Sequence, residues 1–236
     1  MDIILLILII LIILILYWRF FFFFRDPERT IPPGENIVAP ADGIIIYIKR
    51  IKEGEIPIVT KGKDQIKIEE LTKVANYEIF HSGYIIGIFM TLFSVHINRA
   101  PIAGKVEKIQ RFKGKNISMA RMTFNKFFGK KPLYSNCGHI IQNERNTIIL
   151  KGKFPLCLVQ IADLYVSKIK CWVKVNQIVE KGQKIGMIRM GSQVDVIFPA
   201  LGSIEIKVKE GQSVKAGESV LAVLEQGREC PTFNLA

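Results

Sequence analysis

The chain has 236 residues and a formal net charge of +12, from 33 Lys and Arg against 21 Asp and Glu, and 49% of it is hydrophobic. That composition excludes a disordered chain and leaves one main domain, or two small ones, of about 210 residues behind a distinct N-terminal segment. The basic residues are scattered and no nucleic-acid-binding motif accompanies them, so the charge points to an anionic membrane surface and not to nucleic acid.

Residues 3 to 24 are apolar except for Arg19. As a helix, such a run spans roughly 33 Å at about 1.5 Å per residue, close to the ~30 Å hydrocarbon core of a bilayer. It starts at Asp2 and leads into aromatics, Arg25 and Pro27, without a small-residue cleavage site, so it reads as a retained membrane anchor over residues 1–25 and not a signal peptide. Arg19, Arg25 and Arg29 follow the apolar core, and the positive-inside bias then puts residues 26–236 on the cytoplasmic side of the cell membrane. Whether the helix spans the bilayer or lies in one leaflet is open, because Arg19 falls inside the run and can snorkel.

Beyond the anchor the chain is rich in β-branched and aromatic runs bounded by Gly, Pro or Asn. Strands are expected at Ile44 to Ile51, Tyr84 to Phe93, Lys105 to Ile109, Thr147 to Leu150, Leu156 to Ile161, Ile169 to Val175, Ile185 to Met190, Val194 to Phe198, Ser203 to Val208 and Val220 to Leu224. Helices are few, at Asp64 to Ala75 and, more weakly, 117 to 128. Strands this short and numerous predict a mainly β fold of barrel or sandwich type.

The four cysteines, Cys137, Cys157, Cys171 and Cys230, lack Cys-x-x-Cys spacing and read as reduced thiols. The three histidines, His81, His96 and His139, are widely separated, so no metal site is expected. No phosphate loop or dinucleotide fingerprint occurs.

Two stretches repeat. Val173 to Ile188 can be laid over Val208 to Val223, and Pro-x-x-Gly followed by Ile or Val occurs at Pro40 to Ile44, Pro101 to Val106 and Pro199 to Ile204. These units resemble the halves of a biotinyl/lipoyl-type hammerhead, in which a hairpin between the halves presents a lysine for cofactor attachment. Here Met190-Gly191-Ser192-Gln193 occupies that place, with no lysine, which removes a covalent carrier domain and leaves an exposed Gly-Ser hairpin tip. A noncatalytic membrane-anchored adaptor would need a long heptad hairpin between the halves, and residues 189 to 193 leave no room for one. Taken alone, Gly191-Ser192 is an ordinary turn dipeptide.

Six segments in order, Phe24-Arg-Asp-Pro-Glu-Arg-Thr30, Val38-Ala-Pro-Ala-Asp-Gly43, Ser94-Val-His-Ile-Asn-Arg-Ala-Pro101, Asn143-Glu-Arg-Asn146, Val159-Gln-Ile-Ala162 and Ile188-Arg-Met-Gly-Ser-Gln-Val-Asp-Val196, resemble the short-form phosphatidylserine decarboxylases and their archaeal archaetidylserine relatives. The resemblance implies a pyruvoyl-dependent enzyme made as a proenzyme. It would cut itself between Gly191 and Ser192 into a β chain (1–191) and an α chain (192–236) that stay associated. Ser192 would be the precursor of the pyruvoyl cofactor, whose ketone condenses with the amine of an aminophospholipid and accepts the electrons released with carbon dioxide. Phosphatidylserine would become phosphatidylethanolamine, or the ether-lipid analogue would react in its place; the tail linkage is not legible, and a homo-oligomer is compatible with either.

The same resemblance makes His96 the base for self-cleavage and a later proton donor, with Asp42 orienting it as the third member of a relay. On the residues alone, a lone His is more often a hydrogen-bonded structural group and Asp-Gly is common in turns. Longer family members carry a second histidine three residues after the first. Arg99 stands there in this chain, either to contact the substrate or to form a plain ion pair. His81, His139 and Asp195 have weaker claims, Asp195 as a turn or strand-edge residue.

Overall fold

A computed structural model describes residues 3–58, 65–74, 81–129, 138–164, 169–189, 192–200 and 204–224. The apolar run forms α1 (Ile3–Tyr17), which continues as a π-helical turn (Trp18–Phe22). With a mean hydropathy of 3.0 and no residue of its apolar window buried, Ile3–Phe22 is long and apolar enough to cross a membrane. The chain then enters a mainly β domain.

Its strands are β1 (Asn36–Val38), β2 (Gly43–Ile51), β3 (Glu55–Ile56), β4 (Ile66–Lys67), β5 (Gly83–Met90), β6 (Ile97–Arg99), β7 (Gly104–Phe112), β8 (Arg145–Lys151), β9 (Pro155–Ile161), β10 (Ile169–Cys171), β11 (Ile178–Val179), β12 (Lys184–Ile188), β13 (Ser192–Pro199), β14 (Ile204–Ile206), β15 (Ser213–Val214) and β16 (Val220–Leu224). Three short helices, α2 (Ile68–Thr72), α3 (Ala120–Phe127) and α4 (His139–Gln142), interrupt them. An eight-stranded antiparallel sheet in the order β11-β7-β8-β9-β13-β5-β2-β15 curls into a half-barrel. Two three-stranded sheets, β1-β16-β14 and β10-β12-β6, and the β3-β4 pair complete the fold.

The sequence repeat is visible in the hydrogen bonding. Val38 N–H donates to the Pro101 carbonyl at 3.0 Å and Arg99 N–H to the Pro40 carbonyl at 2.8 Å, so the two Pro-x-x-Gly units clasp each other. Ile45 N–H donates to Gln212 and Val106 N–H to Gln177, at 2.9 and 2.8 Å. The register slips after Ile45 in β2 and after Val106 in β7, one bulge in each half. Beyond Pro199, residues 201–203 lie outside the described residues, so the third unit is not traced.

Strand β13 is central, paired with β5 along its whole length and with β9 from Gln193 to Ile197, and all eight of its residues are buried. Because a strand points alternate side chains to opposite faces, it serves two cores. Val194, Val196 and Phe198 pack into one apolar cluster with Met90, Leu158 and Ile148; Ile197 packs into the other with Tyr47, Phe89 and Val159. Ser192 shares the first face by this alternation, and Gln193 and Asp195 share the second.

Ten expected strands are present, with shifted ends. Several departures are informative. The stretch expected to be helical from Asp64 to Ala75 begins as β4, paired to β3, and its helix stops where Lys73 takes a left-handed φ of 57°; both expected ends lie outside the described residues. The weaker 117 to 128 helix is α3. The expected hairpin is absent among the described residues, because β12 pairs with β6 and β10 whereas β13 pairs with β5 and β9, and the two strands belong to different sheets. Ser192 is therefore buried and not exposed. Asp195 is at the centre of the sheet, far from any edge, because β13 has neighbours on both sides. Cys157 and Cys171 are free thiols, and Cys137 and Cys230 lie outside the described residues.

The Tyr47 ring lies over Gly87, where an added Cβ would fall 2.5 Å from a ring carbon. Gly87→Ala must displace a wholly buried ring, and we expect a destabilisation of about 1–3 kcal/mol in chemical denaturation. Unchanged stability would contradict this packing.

Candidate active site

Four of the motifs singled out in the sequence meet around the head of β13. The Ser192 hydroxyl donates to Met90 Sδ at 3.3 Å, and Asn98 Nδ2 approaches the same sulfur at 3.8 Å. Gln160 Nε2 donates to Asn98 Oδ1 and Asn146 Nδ2 to Gln160 Oε1, both at 2.7 Å. Asn146, Gln160, Asn98 and Ser192 thus form a buried polar file along one face of the sheet, each wholly buried or nearly so. Sequence reading placed three of these in motifs without assigning them a task.

His96 precedes β6, and its carbonyl accepts from Ile188 N–H at 3.2 Å, four residues before Ser192. Its ring is buried and stacks on Phe23 with ring centroids 4.1 Å apart. Neither ring nitrogen has a hydrogen-bond partner among the described residues. Burial pushes the imidazole down to about 4; the Ser94 backbone opposes this from outside hydrogen-bonding geometry, and the Arg25 guanidinium adds to it. At neutral pH His96 is therefore uncharged and can accept a proton.

Asp42 does not touch His96 through a hydrogen bond. Its carboxylate takes both bonds from Arg29 at 3.0 Å and accepts Ala216 N–H at 2.7 Å, which satisfies it as the closing group of a turn. Arg99 donates to Asp26 and to the Gly182 carbonyl, at 3.0 Å each, so it ties the segment after the helix to the domain. Ile31 from that segment abuts two matching left-handed glycines, Gly182 and Gly217, at which any Cβ would collide with it. These fastenings deliver Phe23 onto His96. Around it, Arg19 and Arg189 each lie 5.7 Å from the Phe24 ring centre, and Arg25 lies 3.8 Å from that of Phe22. An arginine and phenylalanine collar thus joins the apolar helix to the site. Gly191 lies outside the described residues.

On the opposite face of β13 a second polar cluster was not legible as a unit. His139 Nε2 donates to Gln193 Oε1 at 2.9 Å, and Gln193 Nε2 donates to the Tyr47 hydroxyl and to Asp195 Oδ1 at 2.7 Å each. Tyr47 in turn donates to Asp195 Oδ1 at 2.8 Å. Burial pushes Asp195 up to about 7, against the pull of the Gln193 and Tyr47 bonds and of Arg145, while burial pushes His139 down to about 4. His139 is thereby neutral and keeps its Nε2 proton for Gln193. The members of this cluster come from β2, α4 and β13, and Tyr47 and Asp195 are separated by 148 residues, which is why no local pattern announced them. His81 is exposed and stands apart from both clusters.

Folding removes protons from the two depressed histidines and holds one on Asp195. The histidines contribute stability above about 6.5 that is lost as pH falls through about 4; Asp195 contributes stability below about 4 that is lost as pH rises through about 7. Asp195→Asn keeps both hydrogen bonds and removes the opposing proton. Between pH 6 and 4.5 its unfolding free energy should fall more steeply than the parent's by about one proton's slope, ~1.4 kcal/mol per pH unit. Equal slopes would mean that Asp195 is ionised in the folded protein there.

Residues 16–222 match the sequence profile of the phosphatidylserine decarboxylase family. A relative from Methanocaldococcus jannaschii that carries the provisional name archaetidylserine decarboxylase proenzyme is 38% identical over 204 residues, covering 84% of this chain and 86% of that one. A phosphatidylserine decarboxylase proenzyme of Pelobacter propionicus is 33% identical over 203 residues, 85% of this chain and 74% of its own. Another, from the Wolbachia of Brugia malayi, is 33% identical over 218 residues, 89% and 79%.

Proposed function

This chain belongs to the phosphatidylserine decarboxylase family of carboxy-lyases, and from that premise we propose that it matures by cutting itself at Gly191-Ser192 and then decarboxylates a serine phospholipid at a membrane. One observation carries this reading. Among the described residues the wholly buried Ser192 hydroxyl is held by a thioether alone, a weak acceptor, and His96, whose carbonyl accepts from Ile188 N–H four residues before Ser192 in the chain, is buried with no partner on either ring nitrogen. Buried hydroxyls and imidazoles that serve structure alone are normally satisfied by strong partners.

In maturation, neutral His96 takes the Ser192 hydroxyl proton as the oxygen attacks the Gly191 carbonyl, and the peptide bond becomes an ester with a free amine on residue 192. A base then removes the Cα proton of residue 192 as the Cβ–Oγ bond breaks, which releases the Gly191 carboxylate and leaves dehydroalanine; water converts this to a pyruvoyl group and ammonia. The products are a β chain of residues 1–191 and an α chain of 192–236. The buried head of β13, with the Asn98 carboxamide on the shared Met90 sulfur, fits so small a group. Such a pyruvoyl ketone supplies an electron sink that binds the substrate amine. Asp42 acts on His96 through charge: it offsets Arg29 and Arg25, the cation that opposes protonation of the imidazole.

Helix Ile3–Phe22 anchors the enzyme, with the domain on the cytoplasmic side beside Arg19, Arg25 and Arg29. The arginine collar places positive charge where a lipid phosphate would pass. The family names share a serine headgroup and differ in their tails, and the collar recognises the shared part.

Freshly made precursor followed by denaturing gel should show wild-type protein converting to two chains, while Ser192→Ala stays whole and His96→Ala converts at least about a hundredfold more slowly. Because His96 titrates near 4, the conversion rate should be flat from pH 8 to 5.5 and fall only in stronger acid. Processed enzyme should release carbon dioxide from vesicles of phosphatidylserine or of its ether analogue. Normal conversion by His96→Ala would remove it from the mechanism, and no carbon dioxide from either lipid would overturn the assignment.

A further inference from the structure

The cluster behind Ser192 has no part in the cleavage chemistry, and its members fall on both sides of the cut. Tyr47 and His139 would belong to the β chain, Gln193 and Asp195 to the α chain. We propose that Gln193 is a positioning residue, whose carboxamide is gripped across the cut by Tyr47 and His139 and so holds residue 192 in the site; this inference rests on the cleavage reading above.

Before cleavage, residue 192 is tethered by peptide bonds on both sides. Afterwards it is the first residue of a new chain, at the end of a strand. Its ladder pairing is one-sided there: Ser192 lies opposite Met90 of β5, whereas pairing with β9 begins only at Gln193 and Ile161. Strand ends open at low free energy, and a reacting group displaced by about 1 Å can lose a hundredfold in rate. The neighbouring residue is where this can be prevented. Gln193 uses both ends of its carboxamide, accepting from His139 and donating to Tyr47 and Asp195, in a site without solvent access. With Tyr47 donating to Asp195 and the His139 proton on Nε2, the carboxamide sets its oxygen on His139 and its nitrogen on the Tyr47 and Asp195 oxygens, so all of its polar atoms are bonded at once. Gly87 leaves the space that the Tyr47 ring needs to reach this position. A clamp of this kind needs no contact with substrate.

The test uses full-length enzyme, with kinetics normalised to processed chains in phosphatidylserine vesicles. Gln193→Met, which keeps the shape and removes the bonds, and His139→Leu should each lower kcat at least about tenfold with KM within about twofold. His139→Gln restores a donor to Gln193 Oε1 and should keep more than about half of the wild-type kcat. Wild-type kcat in processed His139→Leu or Gln193→Met would overturn the proposal. Wild-type enzyme provides a measurement that requires no variant to fold: after cleavage the amides of residues 193 and 194 should remain protected from hydrogen exchange, and free exchange there would also overturn it. Failure of the cleavage reading looks different, as an intact wild-type chain.

Discussion

The register of one strand determines the rest of this molecule. β13 lies in the middle of the eight-stranded sheet, and its alternation assigns Ser192, Val194 and Val196 to one core and Gln193, Asp195 and Ile197 to the other. A slip of one residue would exchange every one of these side chains between the cores. Ser192 would leave the polar file of Asn98, Gln160 and Asn146, and Asp195 would be driven into an apolar cluster without Tyr47 or Gln193. The apolar residues on both faces make that slip costly, so the packing energy of an ordinary sheet holds a reactive hydroxyl in one place.

The second constraint is the tether. The segment from Arg25 to Ile31 is bound by Arg99 to Asp26, by Arg29 to Asp42 and by the seat of Ile31 on Gly182 and Gly217. It carries Phe23 onto the His96 ring. An apolar helix and a buried imidazole are therefore neighbours in space as well as in the chain's logic. In the proposed mechanism this proximity serves a substrate whose tails stay in lipid while its headgroup reaches the site. The same burial that Phe23 enforces keeps His96 neutral, which suits a base at physiological pH.

Much of the fold was legible because strand periodicity and turn residues are local signals. The ten expected strands formed, and the Pro-x-x-Gly segments at Pro40 and Pro101 each lead into a strand with one bulge, β2 and β7. The two-residue strands β11 and β15 were not legible, being too short to show a period; the sheet's ends define them. The Gly191-Ser192 hairpin was misjudged because two β-prone arms around a Gly look alike whether they pair with each other or with separate sheets. The site was legible only as motifs. Ser192 and Asn98 meet at the Met90 sulfur, which no motif announced, and Asp42, expected to orient His96, has its carboxylate bonded by Arg29 and Ala216. His139, Tyr47, Gln193 and Asp195 come from three distant elements, and no spacing in the chain joins them.

The central claim is that the buried, weakly held Ser192 is consumed to make the reactive group. Intact-mass spectrometry of the purified, denatured wild-type protein tests it most directly. The account predicts two chains, with the smaller one beginning at residue 192 as a pyruvoyl group, blocked to amine reagents and open to carbonyl reagents. A single uncut chain, or a cut one that begins with a free serine, would contradict it.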